Sequence, residues 1–269
     1  MNKDSPRRAI LVVLLTALVC SGLVSAAVVV LRPIQLNNQM LDRSRNIMQL
    51  TGLLPADRAI EDDDMLELYK SLDLRIIDID AASYDGEIDP NTFSERQALA
   101  DPDRSIAIPS NQDQAKLGRR SRFAPVYMVW NEDKLDRVIL PVRGSGMWSM
   151  LYGYIALEPD LNTISGMTFY EQNETPGLGD QITHAHWLEQ WKGRQVYDYQ
   201  GNPRFRISEG TVEPGSATSE FEVDALTGAT VTGNSVTSLM HYWFGPHGYQ
   251  PFLLALREQP PEKPAELSQ

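Results

Sequence analysis

The chain has 269 residues, 42% of them hydrophobic and 22% charged, with a formal net charge of −12 and a single cysteine. That length suffices for one large domain or two small ones with a sizeable core. The acidic balance excludes a nucleic-acid binder, because no basic stripe is present to neutralise phosphates, and it leaves membrane attachment to a hydrophobic segment.

Such a segment opens the chain. Residues 9–31 carry no charged side chain, and at ~1.5 Å per residue they span roughly 35 Å, enough to cross a hydrocarbon core with some tilt. A cleaved signal peptide would use the small residues Val24-Ser25-Ala26. The apolar run continues beyond them through Val28-Val29-Val30-Leu31, so a retained anchor is expected. Lys3, Arg7 and Arg8 precede the span while Arg32, Arg43 and Arg45 follow it, a near balance. The short basic tail, residues 1–8, favours an inside N-terminus and an exported body. Cys20 lies within the span, so that body has no disulfide, thiolate nucleophile or cysteine-ligated metal.

Residues 33–54 read as a polar helix, with Leu36, Met40, Ile47 and Leu50 loosely periodic and Gly52 and Pro55 closing it. The cluster Glu61-Asp62-Asp63-Asp64 could ligate a hard cation, but it lacks EF-hand spacing and reads as the solvated first turn of a helix. Residues 74–80 are rich in branched side chains and predict a strand. Residues 84–120, with Pro90, Pro102 and Pro109, read as loop with one short helix. Three hairpins are expected next: 125–130 with 138–142, 153–157 with 164–170, and 196–199 with 204–207 around Gln200-Gly201-Asn202-Pro203. Helices are expected over 182–191, capped by Asp180, and over 236–244. The Pro-rich tail from Gln259 is expected to be disordered. The pattern predicts an α+β fold: one transmembrane helix, a membrane-proximal α+β region over 32–135, an antiparallel-sheet domain over 136–257 and a tail over 258–269.

Three segments depart from this pattern. In the stretch from Gly144 to Gly153, Gly144 and Gly146 let backbone approach a ligand and Trp148 offers a flat face; the alternative is a tight turn before a core tryptophan. Glu174-Thr175-Pro176-Gly177-Leu178-Gly179 makes a rigid turn whose amides suit a heterocycle edge, with Leu178 to cover its face; the alternative is a plain connecting loop. Asp224-Ala225-Leu226-Thr227-Gly228-Ala229-Thr230-Val231-Thr232 is a hydroxyl-dense turn feeding a helix that starts between 232 and 235. A helix N-terminus holds phosphate through free amides and its dipole, although Ser/Thr before a helix also serves as a simple cap. The lysine of a Walker loop is missing. His184 and His186 are two apart, unlike a zinc pair, and no Ser/His/Asp elbow occurs, so neither catalytic residues nor a metal are expected.

Together these segments resemble the FMN-binding domains of ion-translocating respiratory complexes. Asp-Ala-Leu-Thr-Gly-Ala-Thr, ending at Thr230, is similar to their flavinylation motif, and the likeness extends over the N-terminal span, residues 140–256 and His241-Tyr242-Trp243-Phe244-Gly245. The resemblance implies that a flavin transferase moves the FMN half of FAD onto Thr230 as a phosphoester, with Asp224 at the motif's acidic position. Trp148, Thr175 and Leu178 would then contact the ring, and Glu174, Gly179, Thr227, Gly228, Ala229 and Thr232 would complete the cofactor site. It also implies an electron carrier in a bacterial inner membrane, its body in the periplasm, relaying electrons among the other membrane subunits of the complex. No catalysis is expected of the isolated chain, since flavin supplies the redox chemistry and protein the position. Met147-Trp148-Ser149-Met150-Leu151-Tyr152 and the insert around the acidic cluster suit the branch that pumps Na⁺ by passing electrons from NADH to ubiquinone. The Rnf-type ferredoxin:NAD⁺ branch shares the Thr-Pro-Gly-Leu-Gly turn and the motif and is the alternative. An anchored periplasmic binding or assembly module without redox activity is the reading from a different class.

Overall fold

A computed structural model describes residues 6–54 and 60–265. Lys3, Pro55 and the last four residues lie outside them. Two compact units are present, Met1–Arg45 and Asn46–Gln269. In the first, helix α1 (Pro6–Thr51) contains the segment Arg8–Arg32, 25 residues, the one helix among the described residues long and apolar enough to cross a membrane. The described side chains of Arg8–Arg32 are exposed. Apolar side chains without protein partners require an apolar solvent, and a helix satisfies its own backbone there.

In the second unit, α2 (Asp62–Lys70) starts on the three aspartates of its first turn. There follow β1 (Asp73–Asp78), β2 (Ser83–Asp85), α3 (Glu95–Ala100), β3 (Ser105–Ala107), β4 (Arg119–Ser121), β5 (Phe123–Asn131), β6 (Lys134–Ser145), β7 (Met150–Leu157) and β8 (Ile164–Glu171). The chain closes through α4 (Ala185–Glu189), β9 (Arg206–Ile207), β10 (Glu222–Val223), α5 (Thr230–Trp243) and α6 (Gln250–Glu258). Six strands form one antiparallel sheet in the order β2-β1-β5-β6-β7-β8. Alternation of side chains buries both of its faces. Val126, Met128, Val138, Leu140 and Ile155 pack with Val236, Leu239 and Met240 of α5 and Phe252 and Leu256 of α6. Tyr127, Val129, Ile139 and Ala156 pack on the other face with Ile47, Met48 and Leu50 from the end of α1 and Met65 of α2. Because β5 and β6 pair, as at Tyr127↔Ile139, regions 32–135 and 136–257 share one sheet.

Several elements differ from expectation. The 196–207 segment holds a single bridge, Tyr197↔Pro203, since proline has no amide to extend a ladder; β9 instead pairs in parallel with β10. Residues 182–191 are not one helix. A 3-10 turn (Gly179–Thr183) precedes α4, His184 between them is extended at ψ 129°, and no side chain caps either. Three short strands, β2, β3 and β4, accompany α3 across the stretch expected to be loop, the first and last overrunning its bounds by one residue each. Beyond α6, Glu262 O accepts from Arg75 at 2.8 Å and Lys263 donates to Glu132 O at 2.8 Å, so this stretch of the tail expected to be disordered contacts the sheet's hairpins.

The C-terminal end of α5 is fastened to the sheet. Trp243 Nε1 donates to Arg143 O at 2.7 Å, Tyr249 donates to Pro141 O at 2.6 Å, and the two rings stack at 4.9 Å. That attachment to β6 directs the other end of the helix toward the β6–β7 turn.

Candidate functional site

The β6–β7 turn closes with Gly146 N donating to Ser149 O at 2.7 Å. Trp148, at its tip, is 67% exposed, so it is not a core tryptophan. Below it lies Glu174, in the connection after β8 and only 4% exposed. Its Oε1 accepts the amides of Met147 at 3.0 Å and Trp148 at 3.1 Å, and its Oε2 accepts the Thr232 hydroxyl at 2.6 Å. One carboxylate thus ties together all three of the segments singled out above. Two glycines make the approach possible. A Cβ on Gly146 would lie 2.5 Å from Glu174 Oε1, and one on Gly179 would lie 2.8 Å from both Glu174 Cβ and Thr232 Oγ1.

A second set of contacts runs over the top. Trp148 Nε1 donates to Thr175 Oγ1 at 3.0 Å. Leu178 lies against Gly228, which takes φ +75° and whose added Cβ would sit 2.8 Å from Leu178 Cδ2. The Gln181 side-chain amide donates to Leu178 O at 2.8 Å and Thr227 O at 3.3 Å, bridging two loops. Met147, Trp148, Leu178 and Val231 are all exposed, large apolar side chains presented to solvent on the three segments that Glu174 joins.

Thr230 is the first residue of α5 and is exposed, with Ala229 as N-cap offering no side-chain bond. The helical ladder begins with Gly233 N to Ala229 O at 3.0 Å, so the amides of residues 230–232 stand outside it, as the first turn of a helix requires. Of the rival hydroxyls, Thr227 is exposed and Thr232 is buried on Glu174. Asp224 belongs to a different cluster: its carboxylate accepts Val212 N at 2.7 Å, its amide donates to Gln190 Oε1 at 3.1 Å and its carbonyl accepts Trp187 Nε1 at 3.0 Å. It braces the motif's loop from behind. Met147, Val231 and Gln181 were not among the site residues expected from sequence, and Gly146, expected to admit a ligand, instead admits Glu174. Gln181 meets Thr227 across 46 positions, and no local pattern signals such a pairing.

His184, His186 and His247 are exposed. His241 is half-buried in α5 with Nε2 2.9 Å from Phe205 O; burial lowers its pKa, against a smaller opposing effect of that contact. Among the described residues no group of three or more histidine, cysteine or acidic side chains could hold a metal. The arrangement offers an exposed threonine, open amides for an anion and exposed apolar side chains for a flat ring.

Residues 146–245 match the FMN-binding domain family. The C subunit of the Na(+)-translocating NADH-quinone reductase of Pseudomonas aeruginosa is 39% identical over 258 residues, 96% of this chain and 98% of that protein. The protein of the same name from Vibrio anguillarum is 38% identical over 96% of this chain and 97% of its own length. The crystal structure of Shewanella oneidensis NqrC superposes with a TM-score of 0.74 at 36% identity, covering 82% of this chain and all (100%) of that one. The corresponding C subunit from Parabacteroides distasonis, at 23% identity and a TM-score of 0.61 over 83% of this chain and 96% of that one, shares the fold.

Proposed function

This chain belongs to the family of the C subunits of Na⁺-translocating NADH-quinone reductases, and from that premise we propose that it carries FMN as a phosphoester on Thr230 and relays electrons between other subunits of such a complex. It has an FMN-binding domain, and its relatives are subunits of an oxidoreductase. The observation that supports covalent attachment is the exposed Thr230 hydroxyl at the open N-terminus of α5, beside the wall of Met147, Trp148, Leu178 and Val231. The free amides of 230–232 suit the phosphate, and the wall suits a flat amphipathic heterocycle. Thr175 spends an oxygen lone pair on Trp148 and keeps its proton to donate. FMN, when bound, supplies one- and two-electron transfer, and the protein supplies position.

The remaining residues act as supports. Ala229 and Gly228 bring the chain into the helix, and Gly228 with Leu178 closes one side of the wall. Asp224 holds the 210–212 segment against the motif. Thr227 lies exposed on the approach to α5. A flavin transferase would be the partner in maturation, and Arg8–Arg32 the anchor, with the body in the periplasm. Covalent linkage suits that place, where a cofactor lost by dissociation is not replaced.

Coexpression with a flavin transferase tests the proposal by intact mass, which should rise by one FMN less one water. In-gel fluorescence should be dark for Thr230→Val and retained for Thr227→Val and Thr232→Val. A bright Thr230→Val band sinks the assignment, and wild-type protein that stays colourless after denaturation and precipitation sinks the covalent linkage.

A further inference from the structure

Glu174 is buried without a cation: among the described residues no arginine or lysine pairs with it. A carboxylate in such a place is tolerated only where donors fill its oxygens. Here the donors come from two distant segments, 26–27 and 58 positions away. The two glycines with no room for a Cβ show how closely the segments are drawn onto it. Trp148 is held at both ends by adjacent residues, its amide by Glu174 and its indole N–H by Thr175. Thr232 gives its hydroxyl proton to Glu174 and is 1% exposed. Residues two apart on a helix lie about 200° apart around its axis, so Thr230 stays on the exposed side while Thr232 is turned inward.

We propose, resting on the assignment of Thr230 as flavin acceptor, that Glu174 is a positioning residue: a buried strut that sets the orientation of the Trp148–Thr175 wall and withdraws Thr232, leaving Thr230 as the hydroxyl at the head of α5. It acts through its hydrogen bonds and not by touching the cofactor. A residue that merely stabilised the fold would loosen the sheet as a whole when removed. A strut loosens the segments it joins. Glutamine keeps an acceptor for the two amides and can donate to Thr232 Oγ1, so it should substitute.

Hydrogen exchange on the full-length, flavin-free protein in detergent reads this directly. Glu174→Ala should raise exchange by about tenfold or more at 146–148 and 233–236, where α5's own ladder begins, while β5 and β6 are unchanged, as expected for loss of buried hydrogen bonds in a local unit. The flavin-loaded form of the same variant should show a shifted visible absorption band, and Glu174→Gln should resemble wild type in both measurements. Should Glu174→Ala fail to fold, Gly146→Ala displaces the same two amides and should give the same local exchange and band shift. Exchange at 146–148 and 233–236 within about twofold of wild type overturns the proposal, as does loosening spread evenly over the sheet. So does flavin on Thr232 in Thr230→Val. Wild-type protein that takes up no FMN defeats the Thr230 assignment alone, because the exchange comparison needs no flavin.

Discussion

Gly228 takes a left-handed backbone at φ +75° and has Leu178 Cδ2 where a Cβ would go. Gly228→Ala therefore combines strain with a clash, at a cost of about 1–3 kcal/mol. Because the clash falls on Leu178, the expected outcome is a lower midpoint in urea together with reduced flavin loading by intact mass. His241 carries a different consequence. Burial depresses its folded pKa, against the weaker effect of Phe205 O. The unfolded chain, with an ordinary value of ~6.5, therefore binds the extra proton first. This part of the stability is fully present above about pH 6.5 and is lost as pH falls below it. Urea unfolding at pH 7 and pH 5.5 should show wild type losing stability on acidification, and His241→Gln should lose less.

At the scale of the element, α5 is the part on which the site depends. Its C-terminal end is set by Trp243, buried between the Arg143 carbonyl and the Tyr249 ring. Trp243→Ala should cost about 3–5 kcal/mol, read as a shift in the urea midpoint. The helix was legible in sequence from its buried periodicity, but its first turn was not. Thr230 and Val231 are exposed, and an exposed first turn carries no apolar signal to distinguish it from the loop before it. The hairpin of β5 and β6 was legible because both strands are apolar runs around polar turn residues, and Glu132 takes the positive φ of 55° there. The apparent hairpin at 196–207 had the same turn chemistry, yet Asp198 bonds its own loop, accepting the amides of Gln200 and Asn202. Helix α6 was not among the expected elements, although its Pro251 stands near its start, where proline is well placed. The residue types of the site were visible one segment at a time. That Glu174 joins them was not, since its partners are distant in the chain.

For the molecule as a whole, a net charge of −12 leaves Arg8–Arg32 as the one helix among the described residues long and apolar enough to serve as an anchor. Deleting that segment should move the protein from the carbonate-resistant membrane fraction to the soluble one. Under the proposed topology, alkaline phosphatase fused after Leu256 should be active and a fluorescent cytoplasmic reporter at the same site dark; the reverse pair would put the flavin on the side of NADH and reverse the electron path. A further consequence lies in the unequal exposure of two neighbouring threonines. Thr232 is hidden and Thr230 presented only once Glu174 and α5 are in place. An unstructured chain displays Thr227, Thr230 and Thr232 alike. Under the proposed Thr230 linkage and topology, biogenesis has an order, in which translocation and folding come before modification. The folded chain acts as its own proofreading template, and a transferase meeting it still unfolded would scatter its product among the three.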